Sequence, residues 1–193
     1  LLLIFIFAWF TSQGAQHGDV VLAANAILMH FILVTAYFLD GFALAAEVLV
    51  GHSVGFGSRR TCLRAMTLST GWAVATAFVC TILLLVFSAD IVNILTVEES
   101  VRNMCANFSS WAVTAPIVAV WCYQLDGIFI GATWTQQMRK AMLFSTFVYI
   151  CAWHLLTPFG NHGLWAALHV AFAVRFLSLL FYLPSLIKNI PEK

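Results

Sequence analysis

Two apolar stretches of the chain each carry an aspartate inside the same local phrase, Leu39-Asp40-Gly41-Phe42 and Leu125-Asp126-Gly127-Ile128-Phe129. Placing an aspartate in the middle of an apolar membrane helix costs roughly 2.5 to 3.5 kcal/mol, so such residues usually face a polar cavity and handle ions, protons or substrates. A third acid, Glu47, follows Asp40 by seven residues. It falls on the same helical face, about 10 Å further along. Counted along their own stretches, Glu47 and Asp126 come out at similar depth, where two carboxylates on neighbouring helices could share a proton or coordinate a cation. The plainer alternative is that both sit near the membrane interface, solvated or capping a helix end. Arg175 lies near the midpoint of another apolar stretch. An unpaired guanidinium is costly there, so a carboxylate partner is expected, with Asp40 at comparable depth as the first candidate for a structural ion pair. Asn25, Tyr123 and Gln124 are neutral candidates for contacts in a substrate cavity, with hydrogen bonding between helices as their competing role.

The composition says what must position these groups. Of 193 residues, 62% are hydrophobic and 9% charged, with a mean hydropathy of +0.95, against about 25% charged residues in a soluble domain. An all-α integral membrane protein follows. The uninterrupted apolar runs lack the alternation of barrel strands, and a formal charge of +1 offers no basic stripe for nucleic acid. Charges and turn residues divide the chain into spans near 1–15, 26–52, 66–89, 105–131, 141–158 and 164–187, a single six-helix bundle without an internal linker. The first span is short, and the chain opens at Leu1 in apolar sequence with no charged leader, which reads as a chain cut at its start. The fifth span is short too, and Thr157-Pro158 is expected to end it.

Arg59, Arg60, Arg64, Arg139, Lys140, Lys188 and Lys193 fall on one side if the spans alternate, and Asp19, Asp90, Glu98, Glu99 and Arg102 on the other. The positive-inside rule then puts the C-terminus on the cytoplasmic side of the cell membrane, whether plasma or bacterial inner membrane, and an even number of spans puts the N-terminus there too. Pro116 is expected to kink the fourth span or free a carbonyl, and Gly127 with Gly131 forms a small-xxx-small pair. His30, His52, His154, His162 and His169 share no ligand spacing, so no metal is expected. Cys62, Cys80, Cys105, Cys122 and Cys151 are scattered and read as small apolar fillers. Trp9, Trp134, Trp153 and Trp165 fall near span ends, as interfacial belt residues do. No nucleophile–base arrangement or phosphate-binding loop occurs, which argues against an enzyme, a cofactor or direct use of ATP.

The stretch Leu22-Ala23-Ala24-Asn25, the phrase from Phe38 to Gly51, the phrase from Asp126 to Thr133 and Asn161-His162-Gly163-Leu164-Trp165 together resemble the multidrug and toxic compound extrusion (MATE) family, in its DNA-damage-inducible protein F branch. The resemblance implies the C-terminal lobe of a twelve-helix antiporter built from two six-helix lobes around a V-shaped cavity. It implies a missing N-terminal lobe as partner, organic and often cationic substrates exported by alternating access, and a role for Asp126 in cation binding. The first span lacks the acid some relatives use for sodium, so the implied coupling ion is a proton in preference to sodium. Asp40, Glu47 and Asp126 are the candidates for coupling. The rival readings are a membrane scaffold in which the acids survive as packing pairs, a degenerate fragment, and a homodimeric half-size transporter.

Overall fold

The computed structural model describes residues 2–190. Leu1, where the first span is expected to begin, and Lys193, one of the basic residues used for orientation, lie outside the described residues. The helices in chain order are α1 (Leu2–Ala15), α2 (Asp19–Phe56), α3 (Arg59–Leu95), α4 (Glu99–Gly131), α5 (Thr135–Leu156) and α6 (Gly160–Lys188), with a 3-10 turn at Thr157–Phe159 between the last two. α2, α3 and α4 are each long and apolar enough to cross a membrane, as is the stretch Thr135–Lys188 that holds α5 and α6; α1 is a shorter apolar helix. The protein is an all-α membrane protein.

The helices run well past the ends expected from hydropathy. α2 continues from 52 to Phe56, and α3 begins at Arg59 rather than near 66. Hydropathy marks the part of a helix that lipid or protein covers, whereas a helix ends where the backbone is forced out of helical geometry. That happens at Gly18, Gly57, Thr133 and Gly160, which all have positive φ. Gly57 takes the left-handed conformation, and its N–H returns to the carbonyls of Ser53 and Val54. Ser58 follows as N-cap of α3, its hydroxyl accepting from the N–H of Thr61. At the opposite end of the bundle Arg102 donates to the carbonyls of Thr96 at 2.8 Å and Asn93 at 3.0 Å. It closes the α3–α4 turn by satisfying carbonyls the ended helix leaves over, which accounts for a basic residue on the less basic side.

α4 is the centre of the bundle, packed by α2, α3, α5 and α6. Across its most apolar stretch 72% of residues are buried, against 17% for α3, so α4 is where polar side chains can be shielded from lipid. Its closest neighbour is α2, and glycine permits the approach. A methyl group added at Gly127 would collide with the carbonyl of Ala43, and one at Gly131 with the carbonyl of Glu47; at Gly51 it would come within 3.2 Å of the Gly131 carbonyl oxygen. The small-xxx-small pair is thus a backbone-to-backbone seam. α4 remains one helix through Pro116, and α6 through Pro184. Lacking an N–H, Pro116 cannot donate to the carbonyl four residues before it, that of Ala112. α5 ends before Thr157-Pro158 as expected.

Trp165 departs from the expected belt. It is fully buried, set edge-on against Phe10 at 4.9 Å, because its indole N–H is consumed inside the bundle by Asn25. Trp9 and Trp153 form an edge-to-face pair at 5.4 Å that joins α1 to α5. All five cysteines are free, and Cys62, Cys105 and Cys122 are buried.

Candidate functional site

The α2–α4 seam fixes the relative depth of the acids. Gly127 stands against Ala43 and Gly131 against Glu47, the same offset both times, so the two helices run parallel in constant register. Asp126 is therefore level with Phe42, two positions from Asp40 and five from Glu47. At the helical rise this is about 3 Å from the level of Asp40 and about 7 Å from that of Glu47. The expectation that Asp126 and Glu47 share a depth is corrected: counting from the middle of each hydrophobic run ignores the stagger between helices. Glu47 is half-buried and has no hydrogen bond or ion pair among the described residues.

Arg175 forms its ion pair with Asp126, not with Asp40 as expected from depth. The pair joins the middle of α6 to the C-terminal part of α4, with only 7% and 11% of the two side chains exposed. It is incompletely satisfied: Arg175 Nε and Asp126 Oδ1 have no hydrogen-bond partner among the described residues. Asp40 remains within the field of both groups, attracted by Arg175 and repelled by Asp126. Its own side chain is exposed on α2, beside the exposed Tyr37 and Leu44. One guanidinium thus pairs with a buried carboxylate and acts at longer range on an exposed one. The buried Tyr123 lies in the same field, as does the thiol of Cys122. With two acids and one base, the cluster carries a formal charge of −1 when all three are ionised, and it becomes neutral on taking up one proton or one monovalent cation.

The neutral candidates separate into two places. Asn25 is a bridge between helices: its amide and that of Asn161 exchange two hydrogen bonds of 2.7 and 2.9 Å, and its oxygen also accepts from Trp165 Nε1 at 2.9 Å. This ties α2 to the first turns of α6 and leaves Asn25 little capacity for a ligand. Asn161 and Trp165, which complete the bridge, enter the sequence reading only through the stretch that carries the family resemblance and, for Trp165, as an expected interfacial belt residue. Gln124 is buried on α4 and donates to Ser69 Oγ of α3 at 2.8 Å. Its buried carboxamide oxygen has no partner among the described residues, and the residue lines a groove of about 580 Å³ between α3, α4 and α6.

Comparisons with known proteins place the chain. The family model described as MatE matches residues 1–152. The chain is 36% identical over 179 residues to the DNA damage-inducible protein F of Escherichia coli (strain K12), an alignment covering 93% of this chain and 39% of that relative. The chain thus spans well under half the length of the curated relative it matches.

Proposed function

This chain belongs to the MatE family, and from that premise we propose that it forms one six-helix lobe of a cation-coupled exporter of organic, often cationic compounds. A second six-helix lobe is its partner, corresponding to the larger part of the relative that this chain does not cover. The two lobes rock about a site between them and expose it to each side of a plasma or bacterial inner membrane in turn, with both ends of this chain in the cytoplasm. Its basic residues support that orientation: Arg59, Arg60 and Arg64 in the first turns of α3, Arg139 and Lys140 near the start of α5 and Lys188 at the end of α6 gather at one end of the bundle.

The observation that carries the coupling role is the buried Asp126–Arg175 pair, with Asp40 in the field of both groups. A guanidinium shared by two carboxylates can fully compensate only one of them. The other is the group that takes up a coupling cation, and the exchange moves Arg175 between a partner on α4 and a partner on α2. Because those helices are packed backbone to backbone, a change in which acid holds Arg175 shifts α6 relative to a rigid α2–α4 unit. Arg175 already occupies one oxygen of Asp126, which suits a proton better than a metal ion needing several converging oxygen ligands. Glu47, deeper by more than a turn and unpartnered, serves as a relay toward the cytoplasmic end. No prosthetic group is needed for this chemistry.

Efflux assays on the complete gene product, in cells lacking other exporters, test the reading. Asp40→Asn should abolish export while the amount of folded protein in the membrane stays near normal, because Asp40 is exposed and does not hold the bundle together. Undiminished export by Asp40→Asn would remove it from the coupling site.

A further inference from the structure

We propose that the groove between α5 and α6, lined by Lys140, Ala141 and Phe144 of the first helix and Ser178, Phe181 and Tyr182 of the second, binds one anionic phospholipid. Its phosphate is held at Lys140 and Tyr182, and its acyl chains lie along the phenylalanines. The inference requires only that the chain is a membrane protein, and it does not rest on the coupling role of the Asp40–Asp126–Arg175 cluster.

Charge specifies the headgroup. From Thr135 to Lys188 the two helices carry Arg139, Lys140, Arg175 and Lys188 and no acid. Arg175 is committed to Asp126. The other three gather where α5 starts and α6 ends, and none of them has an ion pair among the described residues. Basic pockets between membrane helices hold phosphate headgroups, because the cations near the membrane surface are answered by the lipid's net negative charge. With no carboxylate on either helix, the ammonium of a zwitterionic headgroup finds no partner here.

Polarity along the groove specifies the rest of the molecule. In the antiparallel hairpin Lys140 and Tyr182 lie toward the basic end, and Phe144 and Ser178 each come one turn deeper. Lys140 is exposed, so its ammonium can reach the membrane surface while its methylenes lie on the groove wall. The Tyr182 hydroxyl has no hydrogen-bond partner among the described residues. Ser178 adds no donor, since its hydroxyl already donates to the carbonyl of Val174 at 2.7 Å. Further in, the surface is hydrocarbon: Phe144 and Phe181 are 55% and 80% exposed, and Phe147 and Leu177 continue it. Free donors at the membrane surface with apolar surface toward the midplane match a phospholipid standing in its leaflet. The volume of about 370 Å³ takes the phosphate and glycerol region, and the chains run on over the exposed rings. A soluble anion would use the two donors and leave the phenylalanines bare, so the observations favour the lipid.

The test uses the purified, delipidated complete gene product in detergent, titrated with phosphatidylglycerol or with phosphatidylethanolamine of the same acyl chains and read by native mass spectrometry. The wild type should take up its first phosphatidylglycerol about tenfold more tightly than phosphatidylethanolamine, since the basic side chains meet a net charge in one headgroup and a cancelled charge in the other. Lys140→Gln should reduce that preference to about twofold, and Lys140→Arg should restore it. Lys140 is exposed, so neither change disturbs the packing of the bundle. Tyr182→Phe should weaken both lipids by about threefold or more, through loss of a hydrogen bond to the phosphate they share. Arg60→Gln, at the same end of the bundle but outside the groove walls, should keep the wild-type preference. Asp40→Asn should keep it as well even where export is lost, which separates failure of this site from failure of the coupling reading. Equal affinity of the wild type for the two lipids, or a preference unchanged in Lys140→Gln, would overturn the proposal. So would an equal loss in Arg60→Gln, which would make the preference a property of the whole basic end, and so would displacement of phosphatidylglycerol by inorganic phosphate, which would identify a site for soluble anions.

Discussion

Removing Arg175 and removing Asp126 should not cost the same, although they form one ion pair. Arg175→Leu leaves the buried Asp126 carboxylate without its cation and leaves Asp40 and Asp126 repelling each other. Breaking a buried pair in this way costs about 3 to 5 kcal/mol. Asp126→Asn is milder, since Arg175 still lies in the field of Asp40 and can turn to it. About half the cost, roughly 2 kcal/mol, is expected. Asp40→Asn removes an exposed group and leaves the buried pair intact, so its cost should stay under about 1 kcal/mol. The double variant Asp126→Leu with Arg175→Met replaces the pair by apolar groups of similar size and should recover to within about 1 kcal/mol of the wild type. Denaturation in mixed micelles, read as the shift in midpoint, measures all four. An Asp40→Asn cost equal to that of Arg175→Leu, with Asp126→Asn harmless, would show that Arg175 belongs to Asp40 and that the α4–α6 pairing is wrong.

Four other outcomes follow from the packing. Gly127→Ala and Gly131→Ala should each lower the thermal midpoint by the equivalent of about 1 to 3 kcal/mol, the cost of overpacking, whereas Gly41→Ala, where a side chain meets open space, should be neutral or raise it slightly. Asn25→Ala leaves the Asn161 amide and the Trp165 indole N–H unpaired and should cost about 1 to 3 kcal/mol per orphaned group by the same denaturation assay; Asn25→Asp, which keeps an acceptor, should cost less. Replacing Arg102 by Met frees the carbonyls of Asn93 and Thr96 and should speed hydrogen exchange at the α3–α4 turn without changing that of α2. In a cysteine-free background, Arg60→Cys should react with an impermeant thiol reagent only from the cytoplasmic side and Val97→Cys, 90% exposed, only from outside; the reverse pattern would invert the orientation.

What could be read from the sequence is the part that single-residue costs decide. Apolar runs of membrane length and the presence of acids and an arginine inside the spans follow from what lipid penalises, and the end of the fifth span at Thr157-Pro158 follows from what proline cannot continue. What could not be read is register between helices. Asp40 and Arg175 each sit at the middle of a helix, which suggests a pair, yet the close approach allowed by Gly127 and Gly131 sets Asp126 level with Phe42, about 3 Å from the level of Asp40, and it is Asp126 that meets Arg175. The GxxxG spacing held that information only once its partner was known to be Ala43 and Glu47. Trp165 shows the opposite limit: beside a turn it reads as an interfacial residue, and only the three-dimensional meeting with Asn25 and Phe10 makes it core. The α3–α4–α6 groove was invisible for a similar reason, since its walls come from three helices, each presenting an apolar face that reads as ordinary lipid contact.

The central claim is that one guanidinium shared by two acids couples cation uptake to export. The complete gene product in proteoliposomes, loaded with an aromatic cationic dye and driven by a proton gradient or a sodium gradient in separate runs, tests it most directly. The wild type should exchange dye for protons. The Asp126→Leu/Arg175→Met double variant, folded to the same extent, should move dye only down its own gradient. Proton-driven accumulation by the double variant at the wild-type rate would contradict the account.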